Sequence, residues 1–166
     1  TCALPIYLAY DLHPPGLDQR GLVSTVYQCC QDFSDRHGVS VDFHAAGLDG
    51  LKLDFDTEIN LYRLVQEALN NVKKHANAKH VTVRMIGSSP NIVLRIEDDG
   101  KGFDVNDRLA SAVKEKRLGL RSMEERVSLL DGAMRIQSRA MEGTRIFIEV
   151  PSKGKKNAAK QKYTDN

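Results

Sequence analysis

The chain has 166 residues, 41% of them hydrophobic, and a formal net charge of +2. This size and composition predict one domain with its own core, and the lack of an apolar run of about 18 residues argues against a membrane span. Five of the 24 basic residues but one of the 22 acidic residues follow Pro151, so the preceding part carries a net charge of −2. That balance argues against direct nucleic-acid binding by the globular part, and residues 153–166 are predicted to be a disordered basic tail.

The beginning of the chain gives two expectations. Because the first residue is Thr1 and not Met, we expect a longer parent protein, and residues 1–6 fit no element that follows and are set aside. No signal peptide is visible. The cysteines are Cys2, Cys29 and Cys30. Adjacent cysteines are poor disulfide partners, so the pair predicts reduced, structural thiols in a cytosolic setting.

The first predicted elements are two helices and a strand. Residues 7–13 are expected to end a helix, because residues before proline avoid the helical region. Asp18 is predicted to cap a second helix over about residues 19–37, with Gly38 as its C-terminal stop. Alternating apolar residues in 39–43 then predict a strand with one buried face.

A strongly periodic helix follows over about residues 57–76, with Asp56 as the predicted cap. Alternation predicts strands at 81–85 and 92–97, joined by a turn at 87–90.

Residues 104–117 are polar and predict no regular element. A helix over about residues 120–130 is predicted to stop at Asp131-Gly132, and a strand pair, 134–136 with 146–150, closes the domain. Since no strand–helix–strand repeat runs throughout, the order predicts an α+β, two-layer sandwich: a mixed, mainly antiparallel sheet with helices on one face.

The strand at 92–97 ends directly in Asp98-Asp99-Gly100-Lys101-Gly102. An acid fixed at a strand end, beside backbone that glycine allows, suits a flat ligand with donors on its edge, such as a purine base. Asp-Asp-Gly alone is also an ordinary turn.

The helix over 57–76 carries Glu67, Asn71 and Lys74 at spacings that place them close together. Asn71 offers an oxygen of the kind Mg²⁺ accepts, Lys74 a cation for phosphate, and Glu67 a base. A solvated helix face explains this segment equally well.

Two glycine positions extend the pattern. Gly119 before Leu120 is predicted to open a helix, whose first N–H groups can bind an anion. Thr144 follows Gly143 at a strand start. Each alone is an ordinary helix start or turn.

Taken in order, these segments resemble the ATP-binding fold shared by sensor histidine kinases, type II topoisomerases, MutL and Hsp90. Residues 66–76, QEALNNVKKHA, and 119–127, GLRSMEERV, are similar to the N-box and G2 box of the nitrate-sensor branch of histidine kinases. Residues 12–18, LHPPGLD, resemble the junction between that branch's phosphotransfer hairpin and its ATPase domain. The resemblance covers about residues 7–151.

The resemblance implies a role for each matched residue. Asp98 would bind the adenine amino group, Glu67 would assist proton removal from the acceptor, and Asn71 would ligate Mg²⁺. Phosphate contacts would come from Lys74 and His75, and residues 104–117 would form a lid over ATP. The remaining implied nucleotide contacts are Gly100, Gly102, Gly119, Leu120 and Thr144.

Two positions depart from the family pattern. Arg117 stands where the G2 box often has glycine, and it, Lys114 or Lys116 could offer a cation to the triphosphate. His13 is followed by proline, unlike the family's acceptor histidine. It is therefore expected to belong to the junction, so the acceptor is expected to lie outside this chain.

The resemblance implies a division into residues 1–17, the end of the dimerisation and phosphotransfer hairpin, 18–152, the ATPase domain, and 153–166, the tail. The implied function is the catalytic domain of a two-component sensor histidine kinase, a homodimer through its hairpin that serves a response regulator. The domain would be cytoplasmic, with any inner-membrane anchor in missing N-terminal regions. A stand-alone serine kinase of the anti-sigma type and a non-catalytic nucleotide-sensing module are alternatives.

Overall fold

A computed structural model describes residues 14, 16–104 and 113–152, with only the backbone of 113–117. The described helices are α1 (Leu17–His37), α2 (Phe55–Asn71), a π-helical turn (Val72–Ala76) and α3 (Val113–Leu129); the strands are β1 (Ser40–Ala46), β2 (His80–Ser88), β3 (Asn91–Asp98), β4 (Ala133–Ser138) and β5 (Thr144–Pro151). The predicted helix at 7–13 and the tail lie outside the described residues. No described helix is long and apolar enough to cross a membrane.

The sheet has the order β1-β2-β3-β5-β4. Only β1 and β2 run parallel, with α2 as the connection between them, and the other neighbouring strands are antiparallel. A mixed, mainly antiparallel sheet with a layer of helices confirms the predicted fold class.

One face of the sheet forms the core. Val83 and Met85 of β2 and Leu94 of β3 are fully buried, whereas the intervening Arg84 is exposed. They pack with a stripe of α2 that includes Leu64, also fully buried. Each such side chain stabilises the fold by about 1.5–3 kcal/mol through removal of apolar surface from water. The opposite face of the sheet carries the polar residues of the same alternation.

Two predicted helix caps were wrong. Asp54, not Asp56, caps α2, because its side chain accepts a hydrogen bond of 2.8 Å from the Thr57 N–H, three residues on. In α1 the N-cap position is Gly16, and Asp18 lies in the first turn. The predicted stop at Gly38 is confirmed: it has φ 64° and donates to the Ser34 carbonyl at 2.9 Å.

The helices are less regular than predicted. Gly21 has φ 76° and ψ 171°, which breaks α1 where one continuous helix was expected. The predicted helix over 57–76 is α-helical to Asn71 and continues as the π-helical turn to Ala76. Such wide turns occur often at functional sites.

The cysteines fit a structural interpretation. Cys29 and Cys30 are free thiols, and Cys2 lies outside the described residues. Cys30 is fully buried, and burial raises the pKa of its thiol to about 12. A thiol with that pKa stays protonated and unreactive at neutral pH.

Candidate functional site

Asp98 ends β3 in the middle of the sheet. It lies opposite Val81 of β2 and Thr144 of β5, so strands on both sides fix its position. Its Oδ1 accepts a hydrogen bond of 2.9 Å from the buried Gly100 N–H. The sequence places the carboxylate at a strand end, and the neighbouring strands hold it there.

Two backbone hydrogen bonds of Lys101 hold the loop after Asp98 in place. The Lys101 N–H donates to the Ala76 carbonyl at 2.7 Å, and the Lys101 carbonyl accepts from the Met141 N–H at 2.7 Å. Gly102 has φ 57°, and a side chain there would collide with the Arg139 carbonyl. Glycine is therefore required at 102 for both conformation and space.

Glu67 and Asn71 share one face of α2, as their spacing predicts. A methyl group built on Gly119 of α3 would lie 2.5 Å from Glu67 Oε1 and 3.0 Å from Asn71 Oδ1. The Asn71 Nδ2 also lies 4.0 Å from the Met123 sulfur. Helix α3 therefore covers this face, and glycine at 119 makes the close approach possible.

The prediction that Gly119 opens a helix was wrong. Helix α3 begins at Val113, so the backbone of residue 119 belongs to the helix interior and offers no N-terminal anion site. Residues 114–117, with the sequence KEKR, favour helix strongly, and one glycine costs only about 1 kcal/mol. Of the predicted lid, 113–117 are helical, and 105–112 lie outside the described residues.

The π-helical turn carries Lys74 and His75. His75 is half-buried and lines the cavity next to Asp98, whereas Lys74 is exposed and does not. The wider turn changes the direction in which Lys74 projects relative to a regular α-helix. Lys74 is therefore the predicted phosphate contact that the structure leaves outside the site.

The structure brings five predicted residues around one small cavity of about 30 Å³ between α2 and the sheet: Asn71, His75, Asp98, Leu120 and Thr144. Its apolar walls include Ile96 and Ile146. An apolar slot with one carboxylate at its end suits a purine base. Ligand pockets usually measure about 300–1,000 Å³, so the slot is too small for a nucleotide while Phe103 and Leu120 line it as they do here.

Ser138, at the end of β4, contacts two residues that line the slot, Phe103 and Thr144, and the sequence did not reveal this role. Its hydroxyl donates to the Gly143 carbonyl and accepts from the Phe103 N–H, each at 2.9 Å. It also lies 3.1 Å from Thr144 Oγ1. Because the only hydroxyl hydrogen of Ser138 goes to Gly143, Thr144 is the donor in that contact. Thr144 thus keeps lone pairs for a ligand, and no signal in the sequence connects residues 103, 138 and 144.

Asp99 does more than form a turn. It accepts from the backbone N–H groups of Lys79 at 2.8 Å and His80 at 2.9 Å, and from the His80 ring at 2.9 Å. These hydrogen bonds to His80 lower the pKa of Asp99 to about 2. The carboxylate fastens the loop that carries Asp98 to the start of β2.

The donor set at Asn71 fits Mg²⁺. Mg²⁺ usually takes one or two protein oxygens, with substrate phosphates and water for the rest. Asn71 supplies one such oxygen beside Glu67. Among the residues that the structure describes, no cluster of three or more His, Cys, Asp or Glu could hold a metal by itself.

Comparison with known proteins agrees with this geometry. The family model for "Histidine kinase-, DNA gyrase B-, and HSP90-like ATPase" matches residues 56–154, more than half of the chain. That range contains every residue of the candidate site.

Two relatives of this chain are histidine-protein kinase/phosphatases. Over 144 residues the chain is 39% identical to the signal transduction histidine-protein kinase/phosphatase DegS of Brevibacillus brevis, covering 87% of the chain and 36% of the relative. It is 38% identical over 140 residues to DegS of Bacillus subtilis, covering 83% and 36%. The chain thus spans about a third of the length of these relatives.

Solved structures support the fold. The blue-light activated histidine kinase of Erythrobacter litoralis EL346 matches with a TM-score of 0.63 at 20% identity, covering 78% of this chain and 41% of that one. With the family match and the relatives, the predicted fold and resemblance are confirmed. The chain belongs to the histidine kinase-, DNA gyrase B- and HSP90-like ATPase family.

Proposed function

We propose that this chain is the catalytic ATP-binding domain of a two-component sensor histidine kinase. The observation that carries the proposal is the pairing of a purine-type slot, ending in Asp98, with Glu67 and Asn71 on one helix face. The relatives named histidine kinases support the same assignment. In this proposal residues 18–152 are the ATPase domain, and 1–17 end the hairpin.

The proposed nucleotide contacts follow the geometry. Asp98 accepts from the adenine amino group, and Thr144 supports the base with its hydroxyl. Gly100 and Gly102 hold the loop that carries Asp98. Leu120 closes the slot, and His75 contacts phosphate from its half-buried position. Lys74, exposed on the π-helical turn, would meet phosphate only by turning inward.

The proposed chemistry is phosphoryl transfer to a histidine. An imidazole nitrogen forms a bond to the γ-phosphorus of ATP, the bond from that phosphorus to the ADP oxygen breaks, and the electron pair leaves with ADP. Glu67 takes the imidazole proton. Asn71 would hold Mg²⁺, which would supply charge neutralisation. Such transfers depend mainly on positioning and electrostatics, which suits a site of few polar side chains.

The proposed setting is a phosphorelay. The acceptor histidine lies on a hairpin that also makes the homodimer, and a response regulator then takes the phosphoryl group onto an aspartate. The domain is placed in the cytoplasm, with any anchor of the parent in other regions. A stand-alone serine kinase and a non-catalytic nucleotide sensor are the competing functions on the same fold.

The Asp98→Asn variant tests the proposal. The amide has one accepting oxygen where the carboxylate has two, and it lacks the charge, and a hydrogen bond to a charged group is worth about 1.5–3 kcal/mol. We expect ATP affinity, measured by calorimetry with Mg²⁺, to fall about 10- to 100-fold. The matched control is Asp42→Asn, at an exposed position of β1, which should leave affinity unchanged. Equal affinities for the two variants would refute the adenine assignment.

A further inference from the structure

Asp98, Thr144 and Ser138 form one row across three neighbouring strands. Thr144 of β5 lies opposite Asp98 of β3 on one side and opposite Ser138 of β4 on the other. Because alternate residues of a strand share a face, all three side chains lie on the face that carries the buried Ile96 and Ile146. Asp98 and Thr144 line the slot, whereas Ser138 does not. Ser138 is therefore placed to act on the slot only through its neighbours.

The Ser138 hydroxyl uses all of its hydrogen-bonding capacity. Its Oγ donates to the Gly143 carbonyl and accepts from the Phe103 N–H, each at 2.9 Å, and it lies 3.1 Å from Thr144 Oγ1. A serine hydroxyl has one hydrogen and two lone pairs. Since the hydrogen goes to Gly143 and one lone pair to Phe103, the second lone pair accepts the hydroxyl hydrogen of Thr144.

The direction of this hydrogen bond decides what Thr144 offers to the slot. Its hydroxyl hydrogen is directed to Ser138, so only its lone pairs are left for a ligand. An ionised carboxylate such as that of Asp98 also only accepts hydrogen bonds. Neither of the two polar side chains in this row that line the slot therefore donates a hydrogen bond to a base.

Two purine bases test such a pair of acceptors. Adenine carries an amino group, whereas hypoxanthine has a carbonyl oxygen at that ring position and an N–H beside it. The ring N–H can still donate to Asp98, so the two bases differ mainly in what faces Thr144. Lone pairs on Thr144 repel the carbonyl oxygen, whereas a hydroxyl hydrogen directed into the slot would bond to it. A site built to accept hydrogen bonds rejects the base that does not donate there.

We infer that Ser138 is a positioning residue for base selection: it takes the hydroxyl hydrogen of Thr144, keeps that hydroxyl an acceptor, and so favours an aminopurine over an oxopurine. The inference rests on the proposed function, in which the slot receives the base of ATP. Ser138 acts through Thr144 and does not itself touch the base. Its hydrogen bond to the Phe103 N–H holds a wall of the slot and affects both bases alike.

The test compares the dissociation constants of ATP and inosine triphosphate, measured by calorimetry with Mg²⁺ on the full chain. The unmodified chain should bind inosine triphosphate at least about tenfold more weakly than ATP. Ser138→Ala frees the Thr144 hydrogen to donate into the slot, so this ratio should fall about fivefold or more. The control is Ser152→Ala, which also removes a buried serine hydroxyl, one that donates to the Pro90 carbonyl at 2.8 Å beyond the other end of β5. The control should leave the ratio unchanged.

A second pair of variants separates base selection from a structural role. Thr144→Val removes the hydroxyl that Ser138 orients, so adding Ser138→Ala to this variant should no longer change the ratio. An equal change in the ratio with and without the Thr144 hydroxyl would overturn the inference. If Ser138→Ala does not fold, Ser138→Cys replaces it, because sulfur is a weak acceptor and the ratio should again fall.

Failure of the inference and failure of the proposed function give different results. If the unmodified chain binds neither nucleotide, the proposed function is wrong, and the inference with it. If it binds ATP but Ser138→Ala weakens both nucleotides by the same factor, the function stands and Ser138 only supports the fold, so the inference is wrong. Equal affinity of the unmodified chain for the two nucleotides would likewise overturn the inference and leave the proposed function in place.

Discussion

Replacing Gly119 with alanine is expected to impair phosphotransfer without destabilising the domain. The added methyl group would lie 2.5 Å from Glu67 Oε1 and 3.0 Å from Asn71 Oδ1. Contacts below 3.0 Å are essentially never seen for a real Cβ, so the Glu67 carboxylate must move by about 0.5 Å or more. It is the end of a flexible side chain, so this movement costs little free energy.

The expected change in Tm and the expected change in kcat distinguish an effect on stability from an effect on catalysis. Alanine is favoured over glycine inside a helix by about 1 kcal/mol, which offsets the cost of moving Glu67. The Tm should therefore stay constant or rise by about 2–4 °C. Misplacement of a reacting group by about 1 Å can reduce a rate about 100-fold, so a shift of half that size should lower kcat about tenfold.

Two measurements are made. Circular dichroism monitors thermal unfolding, and the initial rate of transfer of labelled phosphate from ATP to the phosphotransfer hairpin of the parent kinase gives kcat. Ser128→Ala, at an exposed position on α3, is the control for a new alanine in the same helix. An unchanged kcat for Gly119→Ala would refute the proposed role of the Glu67 face. A fall in Tm of more than about 5 °C would show that α3 cannot tolerate the methyl group, contrary to the argument.

The other predictions concern the metal, the base end of the slot and acid stability. Asn71→Ala should raise the Mg²⁺ concentration for half-maximal transfer at least about tenfold, and an unaltered Mg²⁺ titration would exclude the ligand role. Ser138→Ala removes the acceptor of the Phe103 N–H and should lower the free energy of unfolding in urea by about 1–3 kcal/mol; a change below about 0.5 kcal/mol would contradict this. The pKa of Asp99 is lowered from 3.8 to about 2, so its stabilisation is complete above pH 4 and is lost as the pH falls through 2. The difference in Tm between Asp99→Asn and the unmodified domain should therefore be larger at pH 6 than at pH 2, and the same difference at both pH values would show that ionisation of this carboxylate does not stabilise the fold.

Elements marked by a periodic pattern of apolar residues could be predicted from the sequence. Alternation located β2 and β3, helical periodicity located α2, and the position of Asp98 at a strand end followed from the run before it. The face shared by Glu67 and Asn71 followed from their spacing, and α3 packing against both agrees with it.

Features that depend on small free-energy differences were not predictable. Asp54 and Asp56 are equally good caps by composition, and only the Thr57 N–H distinguishes them. Nothing in residues 72–76 separates a π-helical turn from an α-helical one. The start of α3 at Val113 reflects strong helix formers that extend the helix back through Gly119.

Contacts between residues far apart in the sequence could not be predicted either. Ser138 contacts Phe103 at a separation of 35 residues, and Asp99 contacts Lys79 at a separation of 20. Both residues look like ordinary loop or strand polar residues until the sheet is assembled. Their effect on the site depends on strand register, which local pattern does not determine.

The strand order has a consequence for synthesis of the chain. β5 is synthesised after all the other described strands, yet it lies between β3 and β4 and places Thr144 opposite Asp98. Until it arrives, β3 is an open edge that can pair with other chains, and the slot lacks one wall. A stop codon shortly before Thr144 should therefore leave an aggregation-prone product that lacks the slot, although the chain would still contain Glu67, Asn71 and Asp98.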